Sequence, residues 1–122
     1  MSDAIYDVLA ELRALGSQAA GTEYGTGKDV GPTQVIKAVS IVTEVGTDGT
    51  LTLNLQGSSD NSTFYDIPGS NFLDPSDGDV IDAVGKYEVF FKTDFRYIRT
   101  KAVVATAAIT HQVFLTTITP GG

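Results

Sequence analysis

Few residues in this 122-residue chain have the type and spacing that catalysis requires. The only histidine is His111, and a lone histidine near a strand end is far more often structural than a general base. Gly25-Thr26-Gly27-Lys28 matches only part of a phosphate-binding loop, because the first glycine of that motif is missing and no clear strand precedes it. No Gly-x-Ser-x-Gly nucleophile elbow is present. The sequence therefore predicts a protein that is not an enzyme.

A run of acidic residues raises the question of a calcium site, because hard cations prefer several oxygen ligands. The run consists of Asp74, Asp77, Asp79 and Asp82. Its spacing differs from the known calcium loop, and no glutamate follows at the position that would complete the shell. We expect a solvated turn, with no bound metal and no cofactor. The absence of cysteine excludes disulfides and thiolate metal sites.

Charge and hydropathy narrow the choice of partner. The formal net charge is −7 and the eight Lys and Arg residues are scattered, so nucleic-acid binding is not expected. No apolar run approaches the roughly 20 residues that cross a bilayer, and no signal-like stretch opens the chain, so we expect no membrane partner and synthesis in the cytoplasm.

The first third of the chain differs in pattern from the rest. Apolar residues recur there at helical spacing, which predicts a short amphipathic helix that ends near Gly16; they are Ile5, Val8, Leu9, Leu12 and Leu15. Residues 17–32 are rich in Gly, Thr and Ala without periodicity and predict an extended arm or loop. We assign residues 1–33 to this N-terminal helix or arm. Its apolar stripe must pack on its own domain or on a neighbouring chain.

Period-two alternation begins after the arm. Val35, Val39, Ile41 and Val45 share one face of a strand, and Leu51, Leu53 and Leu55 share one face of the next. A three-residue loop over 47–49 would place Val45 opposite Leu51 in a hairpin. The apolar faces of the two strands would then lie on the same, buried side of that hairpin. This register predicts a bulge with Gly49 at positive φ.

The remaining strand signals extend to the C-terminus. Residues 64–67, 80–84, 87–92, 95–105 and 109–119 each predict a strand, separated by polar turns at 57–63 and 74–79. Seven to eight short strands with frequent turns indicate an all-β fold, a jelly-roll-like β-sandwich over residues 34–122.

One of these strands also carries an interaction signal. In Phe95-Arg96-Tyr97-Ile98-Arg99 the alternation places Phe95, Tyr97 and Arg99 on one face and Arg96 and Ile98 on the other. The plain interpretation is a central strand with arginines at its edges. The alternative is a contact surface, because Arg and Tyr are favoured anchors where proteins meet.

Several segments, taken in order, resemble the small capsid cement, or decoration, proteins of tailed bacteriophages. They are Leu51 to Asp60 with its Gln-x-Ser-x-Asp ending, then Phe64-Tyr65-Asp66-Ile67, then Phe95 to Arg99, and last Val113-Phe114-Leu115. The resemblance covers about 28–119 and departs from the family pattern in the N-terminal third. It implies a β-sandwich that binds the outer capsid surface of the virion as an oligomer and bridges neighbouring major capsid protein subunits.

The expected partners are therefore the major capsid protein and further copies of this chain, as a homotrimer or, as the alternative, a dimer. Candidate contact residues are Ile5, Leu9, Leu12, Phe64, Tyr65, Arg96 and Arg99. A discoidin-like carbohydrate-binding module shares the Ser-x-Asp turn, the following aromatic and the late Arg-Tyr-x-Arg strand. That alternative stays open, although the chain has no tryptophan for a sugar platform.

Overall fold

The computed structural model describes residues 11–31, 34–72 and 80–120. These residues form nine β-strands and no helix. The strands are β1 (Glu11–Gln18), β2 (Gly21–Tyr24), β3 (Lys28–Asp29), β4 (Gln34–Val45), β5 (Thr50–Ser58), β6 (Tyr65–Asp66), β7 (Gly85–Thr93), β8 (Tyr97–Ala105) and β9 (Ile109–Pro120). The predicted all-β sandwich is confirmed, with more strands than expected.

The strands form two antiparallel sheets. Sheet A has the order β1-β9-β4-β7, and sheet B has the order β2-β8-β5-β6, with β3 also paired to β8. The chain crosses between the sheets after β1, β3, β4, β6, β7 and β8. Because adjacent strands in the sequence mostly lie in different sheets, side chains from the whole chain meet in one core.

The core lies between the inner faces of the sheets and follows the expected alternation. Leu51, Leu53 and Leu55 of β5 are all fully buried, as predicted. On β4 the core face consists instead of Ile36, Ala38 and Val42. The face that the sequence favoured is the outer one over most of the strand, where Val35 is 37% exposed and Ile41 partly exposed although Val39 is buried. Val45, which follows a register shift, packs against the core.

The predicted hairpin between β4 and β5 is wrong. The two strands lie in different sheets, so Val45 pairs with Ile109 and Leu51 pairs with Val104. The turn between them closes with a bond from Gly49 N–H to the Gly46 carbonyl, and Asp48, not Gly49, takes the positive φ of 61°. A short polar turn can join strands across the sandwich as well as within a sheet, and its sequence does not tell which.

The predicted N-terminal helix is also wrong over the part that the structure describes. Residues 11–15 lie in β1, which pairs with β9 through register shifts between Glu11 and Arg13 and between Arg13 and Gly16. Leu12 is buried in the core. Pairing with β9 and core packing outweigh the modest helix propensity of this stretch. The rest of the predicted helix, 1–10, lies outside the described residues.

The predicted arm at 17–32 contains two strands that form an edge of sheet B. β2 pairs with β8 from Gly21 opposite Val104, and β3 pairs with β8 at Asp29 opposite Tyr97. Hydrogen bonds from Gly25 N–H to Thr100 O and from Val30 N–H to Arg96 O extend the backbone pairing of this segment along β8. The register shifts by one residue between β2 and β3, which is a β-bulge at Gly25-Thr26-Gly27.

Two further predicted strands are shorter in the structure or absent from its sheets. The segment 80–84 contributes only an isolated bridge between Ile81 and Leu51. The predicted strand 64–67 is shorter, Tyr65–Asp66, and pairs with the end of β5. The acidic run falls outside the described residues except for Asp82.

Candidate functional site

The outer face of sheet B carries a group of polar and aromatic side chains centred on β8. Alternation along β8 buries Ile98, Thr100, Ala102 and Val104, and turns Tyr97, Arg99 and Lys101 outward. β5 lies beside β8 with Gln56 opposite Arg99 and Asn54 opposite Lys101. The pairing therefore lines up charged and amide side chains on one surface.

Arg99 lies between two aromatic rings on this surface. Its guanidinium carbon is 4.0 Å from the centre of the Phe64 ring and 4.6 Å from the centre of the Tyr24 ring. Its Nε donates a hydrogen bond to Gln56 Oε1 at 2.9 Å. A cation held over ring faces and hydrogen-bonded along its edge keeps one orientation. Arg99 is therefore preorganised although it remains partly exposed.

A carboxylate completes the hydrogen-bond chain. Gln56 Nε2 donates to Asp66 Oδ1 at 2.9 Å, and Asn54 Nδ2 donates to the same oxygen at 3.2 Å. The bond from Gln56 and then that from Asn54, with a smaller contribution from the Lys101 charge, hold the pKa of Asp66 below its usual value. Asp66 is therefore an ionised acceptor at neutral pH. We call Tyr24, Asn54, Gln56, Phe64, Asp66 and Arg99 the Arg99 cluster.

The bulge and a polar loop position the two rings. An added Cβ at Gly27 would collide with Asn61 Oδ1 and with the Phe64 ring, so any larger residue there would displace these two side chains. Within the loop, Asp60 Oδ1 accepts bonds from the Ser58 hydroxyl and from the backbone N–H groups of Ser62 and Thr63. These bonds, that from Thr63 most strongly, lower the pKa of Asp60. The glycines that the sequence placed near a phosphate-loop motif thus serve close packing.

Tyr65 does not belong to the Arg99 cluster. It pairs with Gly57, whereas Asp66 pairs with Gln56, so Tyr65 lies on the opposite face of the sheet from Asp66. The Tyr65 ring stacks on Phe95 with centroids 6.2 Å apart and planes inclined by 18°. Phe95 itself covers Gly57, where no side chain would fit. Tyr65 is 59% exposed and forms a second aromatic surface at this end of the sandwich.

The other candidate contact residues lie apart from these two surfaces. Arg96 Nε contacts both carboxylate oxygens of Asp29 at 3.1 Å, in an exposed pair on the edge of sheet B. Leu12 is only 7% exposed and packs in the core of its own chain. Ile5 and Leu9 lie outside the described residues. Among the predicted residues, the structure therefore brings together Phe64 and Arg99.

The lone histidine is buried between the sheets and belongs to a different polar cluster. Its Nε2 donates to Gln18 Oε1 at 2.9 Å, and its Nδ1 has no hydrogen-bond partner among the described residues. Burial, reinforced by the charge of Arg13, lowers the pKa of His111 to about 4. The ring is therefore neutral at physiological pH, with one nitrogen committed to Gln18.

Tyr24, Asn54, Gln56 and Asp66 were missed by the sequence analysis. The alternation that buries Leu53 and Leu55 also turns Asn54 and Gln56 to the opposite face, so that signal was present for these two residues. Tyr24 had no such signal, because its position depends on the pairing of β2 with the distant strand β8.

The cluster has the composition of a binding surface. It offers two ring faces, a fixed cation and a hydrogen-bonded carboxylate, with Tyr24 51% exposed.

In residues 11–31, 34–72 and 80–120 no group of three His, Cys, Asp or Glu side chains could hold a metal ion. The same part of the chain has no helix with the length and apolar character needed to cross a membrane. No protein-family model matches the chain, and no curated protein matches it.

Proposed function

We propose that this chain is a structural virion protein of a tailed bacteriophage that binds the outer capsid surface and cements neighbouring major capsid protein subunits. The observation that carries the proposal is the Arg99 cluster, in which Arg99 is held between Tyr24 and Phe64 on an outer sheet face. Arg and Tyr are enriched among residues that dominate protein interfaces. The resemblance of the β5, β6 and β8 segments to capsid decoration proteins supplies the partner.

Preorganisation supports a binding role for this surface. Ordering a long side chain on binding costs about 0.5–1.5 kcal/mol, and Arg99 is already held by Gln56 and by two rings. Each joint with the shell needs only modest affinity, since many symmetric copies stabilise the capsid together. The net charge of −7 keeps unbound copies soluble before they dock.

The direct test is co-sedimentation of the purified protein with shells assembled without it. We expect saturation at a copy number set by the capsid symmetry. Arg99→Glu should weaken docking at least tenfold while the melting temperature stays near that of the wild type. Lys86→Glu, an equal charge change on sheet A, is the matched control and should dock normally. Normal docking by Arg99→Glu would contradict the assignment of this surface.

The N-terminal residues need a separate variant. Deletion of residues 2–10 removes Ile5 and Leu9 and keeps all of the described strand β1, Glu11–Gln18, which belongs to sheet A. If these two residues anchor a neighbour, as the sequence predicts, the shortened protein should fold but fail to associate. Normal association would exclude them as anchors.

A carbohydrate-binding module is the second candidate, favoured by the chemistry of the same surface. The exposed ring of Tyr24 shares this face with Arg99 and the ionised Asp66, while the residues Asn54 and Gln56 are only 9% and 8% exposed. Sugars are bound by combinations of a ring face with a few polar groups. A protein that ignores shells but binds a glycan array, with binding lost in Tyr24→Ala, would replace the capsid proposal with this one.

A further inference from the structure

Strand β7 forms one edge of sheet A. Among the described residues it pairs with β4 alone, from Gly85 opposite Val42 to Thr93 opposite Gln34. An edge strand of this length presents backbone N–H and C=O groups that can pair with another strand. The question is whether its side chains favour or prevent such pairing.

The outward side chains of β7 alternate in a self-complementary way. Lys86, Glu88, Phe90 and Lys92 share the outer face. Phe90 is 66% exposed, a high value for a large apolar side chain. On the inner face, Val89 and Phe91 contact the core. Glu88 and Lys92 thus flank an exposed ring. Within its own chain Glu88 also contacts Lys37 at 3.5 Å and Lys86 at 3.4 Å, so the second copy's Lys92 would join an existing cluster of charges.

We propose that β7 pairs antiparallel with β7 of a second copy of this chain, around a two-fold axis that passes through Phe90. The residues from Tyr87 to Thr93 of each copy would pair, so that Phe90 contacts Phe90 of the second copy. Glu88 would lie opposite Lys92 of the second copy, twice by symmetry. The two copies of sheet A would become one continuous sheet.

Other registers are less favourable. A two-fold axis through Val89 places Lys86 opposite Lys92, and an axis through Glu88 places two glutamates opposite each other; like charges in directly opposed positions are destabilising. An axis through Tyr87 matches Lys86 with Glu88 but pairs only residues 85–89 within the strands. The axis through Phe90 therefore combines complementary charge with the longer overlap.

Lysines on an edge strand usually oppose edge pairing. Here the register places each Lys92 against a glutamate, so the side chains that would repel an unrelated strand favour a second β7. Apolar contacts add to this on both faces, with Phe90 against Phe90 outside and Val89 against Phe91 of the second copy inside. Such self-complementarity is what a two-fold interface requires.

The inference concerns self-association alone and does not require the capsid role, so it is tested in the absence of shells. Analytical ultracentrifugation of the full chain should give a concentration-dependent dimer. Glu88→Lys and Lys92→Glu should each raise the dissociation constant at least tenfold, because each creates two like-charged pairs. An equimolar mixture of the two variants should restore the dimer, since every pair is then complementary.

The mixture also distinguishes loss of the β7–β7 interface from misfolding, because misfolded variants would not form a dimer when they are mixed. Lys92→Glu tests the register as well, since an axis through Tyr87 leaves Lys92 outside the paired stretch. Three results would each overturn the proposal. The wild type could be a monomer or a trimer, Lys92→Glu could form an unchanged dimer, or the mixture of the two variants could stay monomeric.

Cross-linking gives an independent check, because the chain has no cysteine of its own. Opposed residues in an antiparallel pair have Cα atoms about 4.5–5.5 Å apart, within the range that a disulfide spans. Phe90→Cys should therefore form a disulfide-linked dimer on mild oxidation. Lys86→Cys is the control on the same face, roughly 27 Å from its copy along the strand. Equal cross-linking of the two variants would contradict the two-fold axis at Phe90.

Discussion

Two polar clusters join the N-terminal strands to the rest of the sandwich, one inside and one outside. Inside, Gln18 at the end of β1 donates to Ala102 O of β8 at 2.9 Å and accepts from His111 of β9. Outside, Tyr24 of β2 packs on Arg99 of β8. Both connect an edge strand to a central strand, but only the outer one leaves a charge and a ring partly exposed at the surface.

Arginine is used differently in the two clusters. Arg13 has a side chain only 10% exposed, and its Nη1 donates to the carbonyl oxygens of His111 at 2.6 Å and Gly16 at 3.0 Å while Nε contacts Glu23 at 2.6 Å. Its donors are thus largely occupied within the chain. Arg99 is partly exposed, with a donor bond to Gln56 and contacts to the rings of Tyr24 and Phe64. The inner cluster uses its arginine within the chain, and the outer cluster leaves arginine donors accessible at the surface.

The largest expected effect is that of Gln18→Ala. This change leaves the His111 Nε2–H buried without its acceptor and removes the bond from Gln18 to the Ala102 carbonyl, which lies in the ladder between β2 and β8. An unsatisfied buried group costs about 1–3 kcal/mol and a lost hydrogen bond about 0.5–1.5 kcal/mol, so we expect a loss of about 3 kcal/mol in the free energy of unfolding, measured in urea. Docking through the Arg99 cluster should persist at temperatures where the variant is folded.

Gln112→Ala is the matched control for this prediction. Gln112 donates to Glu11 at 2.8 Å in a partly exposed position, where water can replace the lost bond. We expect a loss below about 1 kcal/mol. Equal losses in the free energy of unfolding for Gln18→Ala and Gln112→Ala would mean that burial of the Gln18 bonds adds nothing to stability.

The second effect is a pH dependence of stability that originates in the inner cluster. The pKa of His111 is lowered from 6.5 to about 4 on folding, so the unfolded chain binds a proton more readily. Stability is therefore complete above pH 6.5 and falls as the pH drops toward 4, by about 1.4 kcal/mol per pH unit. Urea unfolding at pH 7 and at pH 5 should differ by about 2 kcal/mol.

The His111→Gln variant isolates this contribution. It keeps a polar side chain near Gln18 and removes the titrating ring, while leaving the carboxylates whose lowered pKa values also reduce stability in acid, such as Asp60 and Asp66. The variant should lose most of the decline between pH 7 and pH 5. A decline as steep as that of the wild type would show that His111 is not its source.

The difference between the clusters also explains how far the sequence could predict the molecule. Alternation is local, so it correctly buried Leu51, Leu53 and Leu55 and indicated an all-β sandwich. Which strands pair is not local. The turn after β4 was interpreted as a hairpin, yet the chain crosses there to the other sheet, with Asp48 at positive φ.

The same limit applies to the candidate site. Arg99 and Phe64 could be chosen as contact residues from their type and from the strand pattern. Their contact with Tyr24 could not, because it depends on β2 forming an edge of sheet B beside β8. Within the apolar stripe of the N-terminal segment, Leu12 packs in the core of its own chain and not on a neighbour, Leu15 is 53% exposed, and pairing with β9 makes residues 11–15 a strand.

The smallest expected effect separates Arg96 from Arg99. Arg96 forms an ion pair with Asp29 in which both side chains are about half exposed, and such pairs contribute little because water and salt screen them. The pKa of Asp29 is lowered first by the Gly31 N–H and only then by Arg96, so the carboxylate keeps its main partner when Arg96 is changed. Arg96→Gln should therefore leave the urea midpoint unchanged at both low and high salt.

Arg99→Gln removes two ring contacts and the bond to Gln56, and should lower the midpoint slightly. A larger loss for Arg96→Gln than for Arg99→Gln would mean that the edge pair, and not the Arg99 cluster, holds the β3 side of sheet B in place.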